Sequence, residues 1–238
     1  SFQKYKAVDV SPIDSLYSMP FRLKKEITID FGEHLTGYFS FSVRSTGLAA
    51  DGPLRFKLTF GEVPSEVAVS FDSYKEGLSR AWLQDEVVSV MYVPQTVTLS
   101  RRLAFRYVKI ELLGSSPYYD FNIHDMKCMA QTSAKNIPEE LPQAVDPMIR
   151  KIDRVGLNTL KECMQTVYED GPKRDQRLWI GDLYLEALGN NYSYKQHDLT
   201  KRCLYLLAGL RDLNGYLLAT VIENPVPRAQ DKQFLYEY

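Results

Sequence analysis

Tyr168-Glu-Asp-Gly-Pro-Lys-Arg-Asp-Gln-Arg-Leu-Trp-Ile-Gly-Asp182 gathers four acids, three bases, a tryptophan and two glycines into fifteen residues. Gly171-Pro172 and Gly181 interrupt any helical run, so Asp170, Asp175 and Asp182 cannot share one helix face. They are expected to project from a loop into a common cleft. Several carboxylates, a cation and an indole are what a sugar-cleaving site requires: an acid to protonate a leaving oxygen, acceptors for hydroxyls and an apolar ring face. The alternative for any charged loop is a solvated segment whose charges pair among themselves. Trp179 and the Gly-Pro punctuation argue against it here.

Two stretches of different grammar carry this segment. From residue 20 to about 130 the chain reads as β. Glu26-Ile-Thr-Ile-Asp-Phe31, Tyr38-Phe-Ser-Phe-Ser-Val43, Arg55-Phe-Lys-Leu-Thr-Phe60 and Tyr107-Val-Lys-Ile-Glu-Leu112 all alternate with period two. Turns are expected at Phe31-Gly32, Thr36-Gly37, Asp51-Gly-Pro53 and Gly114-Ser-Ser-Pro117. Closely spaced strands without intervening helices predict an antiparallel β-sandwich over residues 1–136. Polar, proline-containing residues 131–143 read as a linker, and residues 137–238 as a helical domain. Asp146-Pro147 opens its first helix as N-cap and first-turn proline. Ile149, Ile152, Leu160, Cys163 and Val167 form its apolar stripe, with Gly156 as a close-approach position. Further helices are expected over Leu183–Asn191 and His197–Leu210, a turn at Asn214-Gly215, and the opening of another helix at Phe234-Leu-Tyr-Glu-Tyr238.

The whole composition is that of an ordinary globular chain. Hydrophobic residues make up 45% and charged residues 25%, and the net charge of −1 gives no electrostatic footprint for nucleic acid or acidic lipid. No stretch approaches the roughly 18 consecutive apolar residues of a membrane span, and Ser1-Phe-Gln-Lys-Tyr-Lys carries no apolar segment. Cys128, Cys163 and Cys203 lack metal-ligand spacing and read as buried free thiols. His34, His124 and His197 are too scattered for a metal site.

The acidic segment resembles the signature of the bacterial α-L-rhamnosidases, Asp-Cys/Gly-Pro-x-Arg-Glu/Asp-x-x-x-Trp-x-Gly-Asp. Asp170, Pro172, Arg174, Trp179, Gly181 and Asp182 fall on its positions without a gap. Asp30-Phe-Gly32 with Gly37, and Arg102-Leu-Ala-Phe-Arg-Tyr-Val108, resemble the family's phrases in its sandwich. The resemblance implies a β-sandwich followed by the first helices of an incomplete α/α six-hairpin barrel. It implies an inverting glycosidase that needs no cofactor, acts on carbohydrates with terminal α-L-rhamnose, and takes its general base from beyond Tyr238. On that footing the chain is an incomplete and inactive fragment, whose open helix faces predict homo-oligomers or aggregation through apolar surface. Carried over position by position, Asp175 is the general acid, one methylene shorter than the family's usual glutamate. Asp170 and Asp182 accept hydrogen bonds from sugar hydroxyls, Trp179 packs on the ring and Arg174 orients the carboxylates. Glu169 and Glu186 are nearby acids. Glu186 lies one helical turn beyond Asp182, so it either points at the same cleft or lies on the helix surface, and of the two the surface position is expected. The motif leaves open another sugar on the same fold, or a non-catalytic carbohydrate-binding protein.

Overall fold

Glu26–Thr46 forms one strand of 21 residues, β1, in the computed structural model, which describes residues 10–75, 77, 79–212 and 214–230. The turns expected at Phe31-Gly32 and Thr36-Gly37 are not reversals. The chain runs straight on through both: Glu26–Asp30 and Leu35–Gly37 pair with the same partner strand across a register shift, in which Asp30 faces Tyr107 and Leu35 faces Phe105, five steps on one strand against two on the other. Gly32 takes φ +84°, which favours glycine, and its N–H donates to Asp30 Oδ1 at 2.8 Å. Arg106 clasps the same carboxylate through Nε and an Nη at 2.7 and 2.8 Å. That guanidinium holds the Asp30 carboxyl below its ordinary range. At Gly37 the backbone approach is close: an added Cβ would lie 2.2 Å from the Met129 carbonyl oxygen.

The other strands are β2 (Leu54–Gly61), β3 (Asp85–Val90), β4 (Gln95–Thr98), β5 (Leu103–Gly114) and β6 (Asp120–Ala130). All pairings are antiparallel. The order is β3-β2-β5-β1-β4, with β6 also on β1. The first part of β1 lies along β5, and the second runs between β4 and β6. Single-turn helices α1 (Asp14–Tyr17), α2 (Phe21–Lys24) and α3 (Pro64–Ala68) accompany the strands.

Alternation on β1 buries Phe39, Phe41 and Val43. Their rings meet strands that are not hydrogen-bonded neighbours: Phe41 lies 5.8 Å from Phe56, and Phe39 lies 5.4 Å from Phe60. Phe56 in turn meets Phe121 at 5.8 Å. Rings from unpaired strands can touch only across a shared interior, so the strands close into the expected sandwich.

The chain divides into two compact units, Ser1–Ala130 and Gln131–Tyr238. Residues 131–136, expected to close the sandwich domain, are held by the helical unit. Thr132 Oγ1 donates to the Lys161 carbonyl at 2.7 Å, and Asn136 Nδ2 to the Tyr194 carbonyl at 2.7 Å. Helix α4 (Pro147–Cys163) begins as expected, with the Asp146 side chain accepting from Met148 N–H at 2.7 Å and proline at the first position. Then come β7 (Leu178–Trp179), α5 (Ile180–Tyr192), α6 (His197–Gly209), β8 (Thr220–Ile222) and β9 (Arg228–Gln230).

Several expectations for the helices change. Ile149 and Ile152, placed on the buried stripe, are exposed together with Met148 and Val155. Val167 is buried, but in the loop after α4. No atom would meet a Cβ at Gly156. Close approach occurs instead at Gly189 of α5, 3.2 Å from Leu160 of α4. The three cysteines are free, Cys203 buried and the other two half-buried. Asn214-Gly215 forms a turn, with Gly215 at φ +85°. Phe234–Tyr238 lies outside the described residues. Among the described residues no helix is long and apolar enough to cross a membrane.

Candidate active site

Between α4 and α5 the chain makes a loop closed at its neck. Asp170 N–H donates to the Arg177 carbonyl at 3.0 Å, and Arg177 N–H returns to Asp170 Oδ1 at 3.3 Å. Inside the loop, Gln176 N–H donates to the Gly171 carbonyl at 3.1 Å and the Gln176 side-chain amide to the Pro172 carbonyl at 2.7 Å. The following segment is pinned as β7, with Leu178 opposite Val221 and Trp179 opposite Thr220. Ile180 N–H then donates to the Ala219 carbonyl, and α5 starts there.

Gly181 therefore does not break the chain. It sits in the first turn of α5, and Asp182 projects from that turn rather than from the loop. A carboxylate in a first helical turn is favoured by the helix dipole. Trp179 is half-buried at the junction of β7 and α5. Arg174 is exposed and grips Asp175 through Nε at 2.9 Å and an Nη at 3.2 Å. An open concavity of about 650 Å³ lies against α5, lined by Ile180, Gly181, Asp182, Tyr184 and Leu185.

Asp170, Asp175 and Asp182 are brought into one electrostatic group. Burial pushes the Asp170 carboxyl up to about 6 against the pull of the Arg177 backbone N–H. A hydrogen bond with Asp175, the charge of Asp175 and that of Asp182 push it the same way. Burial raises Asp182 as well, opposed by its own backbone N–H. The loop thus raises the proton affinity of its carboxyl groups towards neutral pH, the direction an acid catalyst needs.

Glu186 belongs to the same group, contrary to the surface position expected for it. It lies one turn beyond Asp182 and is half-buried. Its Oε2 is buried without a hydrogen-bond partner among the described residues. Burial first, then the charges of Asp182 and Asp170, push its carboxyl up to about 9, while a hydrogen bond with Cys163 opposes the shift. The Cys163 thiol is driven to about 12 by its own burial and by Glu186. The spacing from Asp182 to Glu186 was visible in the sequence. What it lacked was any sign that the floor beneath is made by the last residue of α4.

An acid whose folded pKa lies above its unfolded one binds its proton more tightly when folded, so stability falls as pH rises from about 4.5 towards about 9 at Glu186. Glu186→Gln keeps the shape and removes the ionisation. It is expected to flatten that decline and raise the thermal midpoint at pH 8–9 relative to the parent, as melting curves across pH 5–9 would show. An equal decline in the variant would mean that Glu186 is ionised in the fold.

Among the described residues no group of three or more His, Cys, Asp or Glu is placed to hold a metal ion.

The family profile described as the N-terminal domain of glycosyl hydrolase family 78 α-rhamnosidases matches residues 1–130. That of the bacterial α-L-rhamnosidase six-hairpin glycosidase domain matches residues 143–234. A rhamnosidase from Klebsiella oxytoca, solved with rhamnose bound, superposes with a TM-score of 0.89 at 39% identity, covering 95% of this chain and 44% of its own. A family 78 rhamnosidase of Bacillus sp. GL1 superposes with a TM-score of 0.65 at 21% identity, covering 87% of this chain and 20% of its own. The second likeness shows the fold alone. The chain spans less than half the length of either protein. No curated protein sequence matches it.

Proposed function

This chain belongs to the glycoside hydrolase family 78 α-L-rhamnosidases, and from that premise we propose that its loop and first α5 turn form the acid side of a site hydrolysing terminal α-L-rhamnosides. The observation that carries the reading is the Asp170–Asp175 pair: burial and the neighbouring Asp175 push the Asp170 carboxyl up to about 6, and Asp175 is clasped by Arg174.

In this reading the proton held on Asp170 passes to Asp175 as Asp175 delivers a proton to the glycosidic oxygen, and the bond from the anomeric carbon to that oxygen breaks. Water attacks the anomeric carbon from the opposite face, and a second carboxylate takes the water's proton. That carboxylate comes from the remainder of a six-hairpin barrel. Asp182 accepts from sugar hydroxyls at the mouth, Trp179 offers its ring to the apolar sugar face, and Arg174 fixes the orientation of Asp175. Desolvation inside the loop strengthens each of these contacts relative to water. The sandwich of residues 1–130 and the helical region of residues 131–238 are the two domains of this scheme.

The test is an assay of this chain beside one carrying a complete helical domain, on aryl glycosides that include α-L-rhamnoside. The proposal expects rhamnoside cleavage by the longer chain and none by the shorter. Cleavage of a different aryl glycoside would keep the chemistry and replace the sugar. Silence from both would leave carbohydrate binding without catalysis.

A further inference from the structure

The outer face of the sandwich carries a second polar concavity, in the sheet formed by β4, β1 and β6. Phe41 and Val43 point into the core, so Ser42 and Arg44, the alternate residues, face outward. Thr96, Ser42 and His124 stand directly opposite one another on three adjacent strands and make one row across the sheet. The Ser42 and Thr96 hydroxyls lie 2.8 Å apart, which occupies one hydrogen-bonding role of each and leaves others free.

Next to His124 the pairing slips. Ser40 faces Lys127 while Ser42 faces His124, so β6 carries one extra residue. Asp125 lies in this bulge at φ +51°. Bulges re-aim side chains, and this one brings the Asp125 carboxylate to 2.8 Å from His124 Nδ1. A carboxylate only accepts, so Nδ1 carries a proton. His124 Nε2 is buried and has no partner among the described residues. An unmet buried polar atom costs about 1–3 kcal/mol.

With Gln95 these residues enclose about 230 Å³. Ligand pockets run roughly 300–1,000 Å³, so this volume suits a single ring rather than a chain. Charges of both signs meet here: Asp125 is held below its ordinary range by its hydrogen bond with His124 first, with the charges of Lys127 and Arg44 adding to it. Hydroxyls, an amide, a carboxylate and a guanidinium side by side suit a ligand that both donates and accepts at several neighbouring atoms.

We propose that the pocket bounded by Ser42, Arg44, Gln95, Thr96, His124 and Asp125 is a binding subsite for one neutral pyranose unit, separate from the acidic loop. It holds a sugar residue against the sandwich and performs no chemistry on it.

Saturation-transfer NMR on the 238-residue chain tests this with L-rhamnose, D-glucose and D-galactose, and with inorganic sulfate as the anionic probe. Thr96→Val and Arg44→Gln remove pocket groups at exposed positions, and unchanged thermal midpoints would confirm the fold. Asp170→Asn disables the acidic loop. The expected result is binding of at least one sugar, weakened about fivefold or more by each pocket variant, the worth of one lost hydrogen bond. Asp170→Asn should leave that binding in place. Absence of sugar binding overturns the proposal, as does binding lost in Asp170→Asn but kept in Thr96→Val and Arg44→Gln. Binding of sulfate alone, sensitive to Arg44→Gln, also overturns it by making the pocket an anion site.

Discussion

Asp175→Asn, introduced into a chain with a complete helical domain, is expected to lower kcat/KM on a natural rhamnoside by about 10²–10⁴-fold, the range that general acid catalysis supplies. An aryl rhamnoside with a good leaving group should lose far less, because its oxygen departs without a proton. The Arg174 clasp and the closed neck between Asp170 and Arg177 are built from neighbouring groups, and the amide oxygen of asparagine still accepts from Arg174. The fold should therefore survive the change. Asp170→Asn is the companion measurement. If Asp170 only resupplies the proton, its variant should chiefly alter the alkaline limb of the pH–rate profile, where the parent loses its proton near pH 6. If instead Asp170→Asn shows the leaving-group dependence and Asp175→Asn does not, the roles of the pair are reversed.

Phe39→Ala is the substitution expected to cost the sandwich most, about 3–5 kcal/mol. Phe39 is fully buried on β1. Its ring meets Phe31 at 6.2 Å, Phe41 at 5.9 Å, Phe60 at 5.4 Å and Phe105 at 6.1 Å. Three of these contacts are edge-on, the arrangement that aromatic quadrupoles prefer. Deleting it opens a cavity where the two layers meet. Each compact unit holds one of the two tryptophans, Trp82 and Trp179. Urea unfolding in a Trp179→Phe background thus reports on the sandwich through Trp82. A fall in midpoint of roughly 1.5–2.5 M urea is expected, taking about 2 kcal/mol per molar. Tyr118→Ala, at a position 75% exposed, should shift it by no more than about 0.5 kcal/mol. Equal effects at the two positions would mean that the aromatic interior does not hold the sandwich together.

Period-two alternation located the β half because it reports which face of a strand is dry, and a sandwich buries one face of each strand. It did not distinguish a reversal from a bulge at Phe31-Gly32, since glycine serves both. The decision came from Arg106, a partner 76 residues away that clasps Asp30. Strands β3, β4 and β6 went unread. Two are short, and β6 is interrupted at Asp125, so none offers a long clean alternation. The N-cap at Asp146 was legible because capping is local. The exposure of Ile149 and Ile152 was not, because an amphipathic stripe records an apolar face without recording what covers it.

The sequence by itself determined the acidic segment, the residue types on it and the family to which it points, because those reside in short-range order along the chain. Tertiary structure alone decided which acid carries the proton. Burial beside Asp175 pushes the Asp170 carboxyl up to about 6, and burial together with the charges of Asp182 and Asp170 pushes Glu186 up to about 9. Proton affinity depends on desolvation and on charges a few ångströms away. Those distances are set by packing between segments that the order of residues does not place side by side.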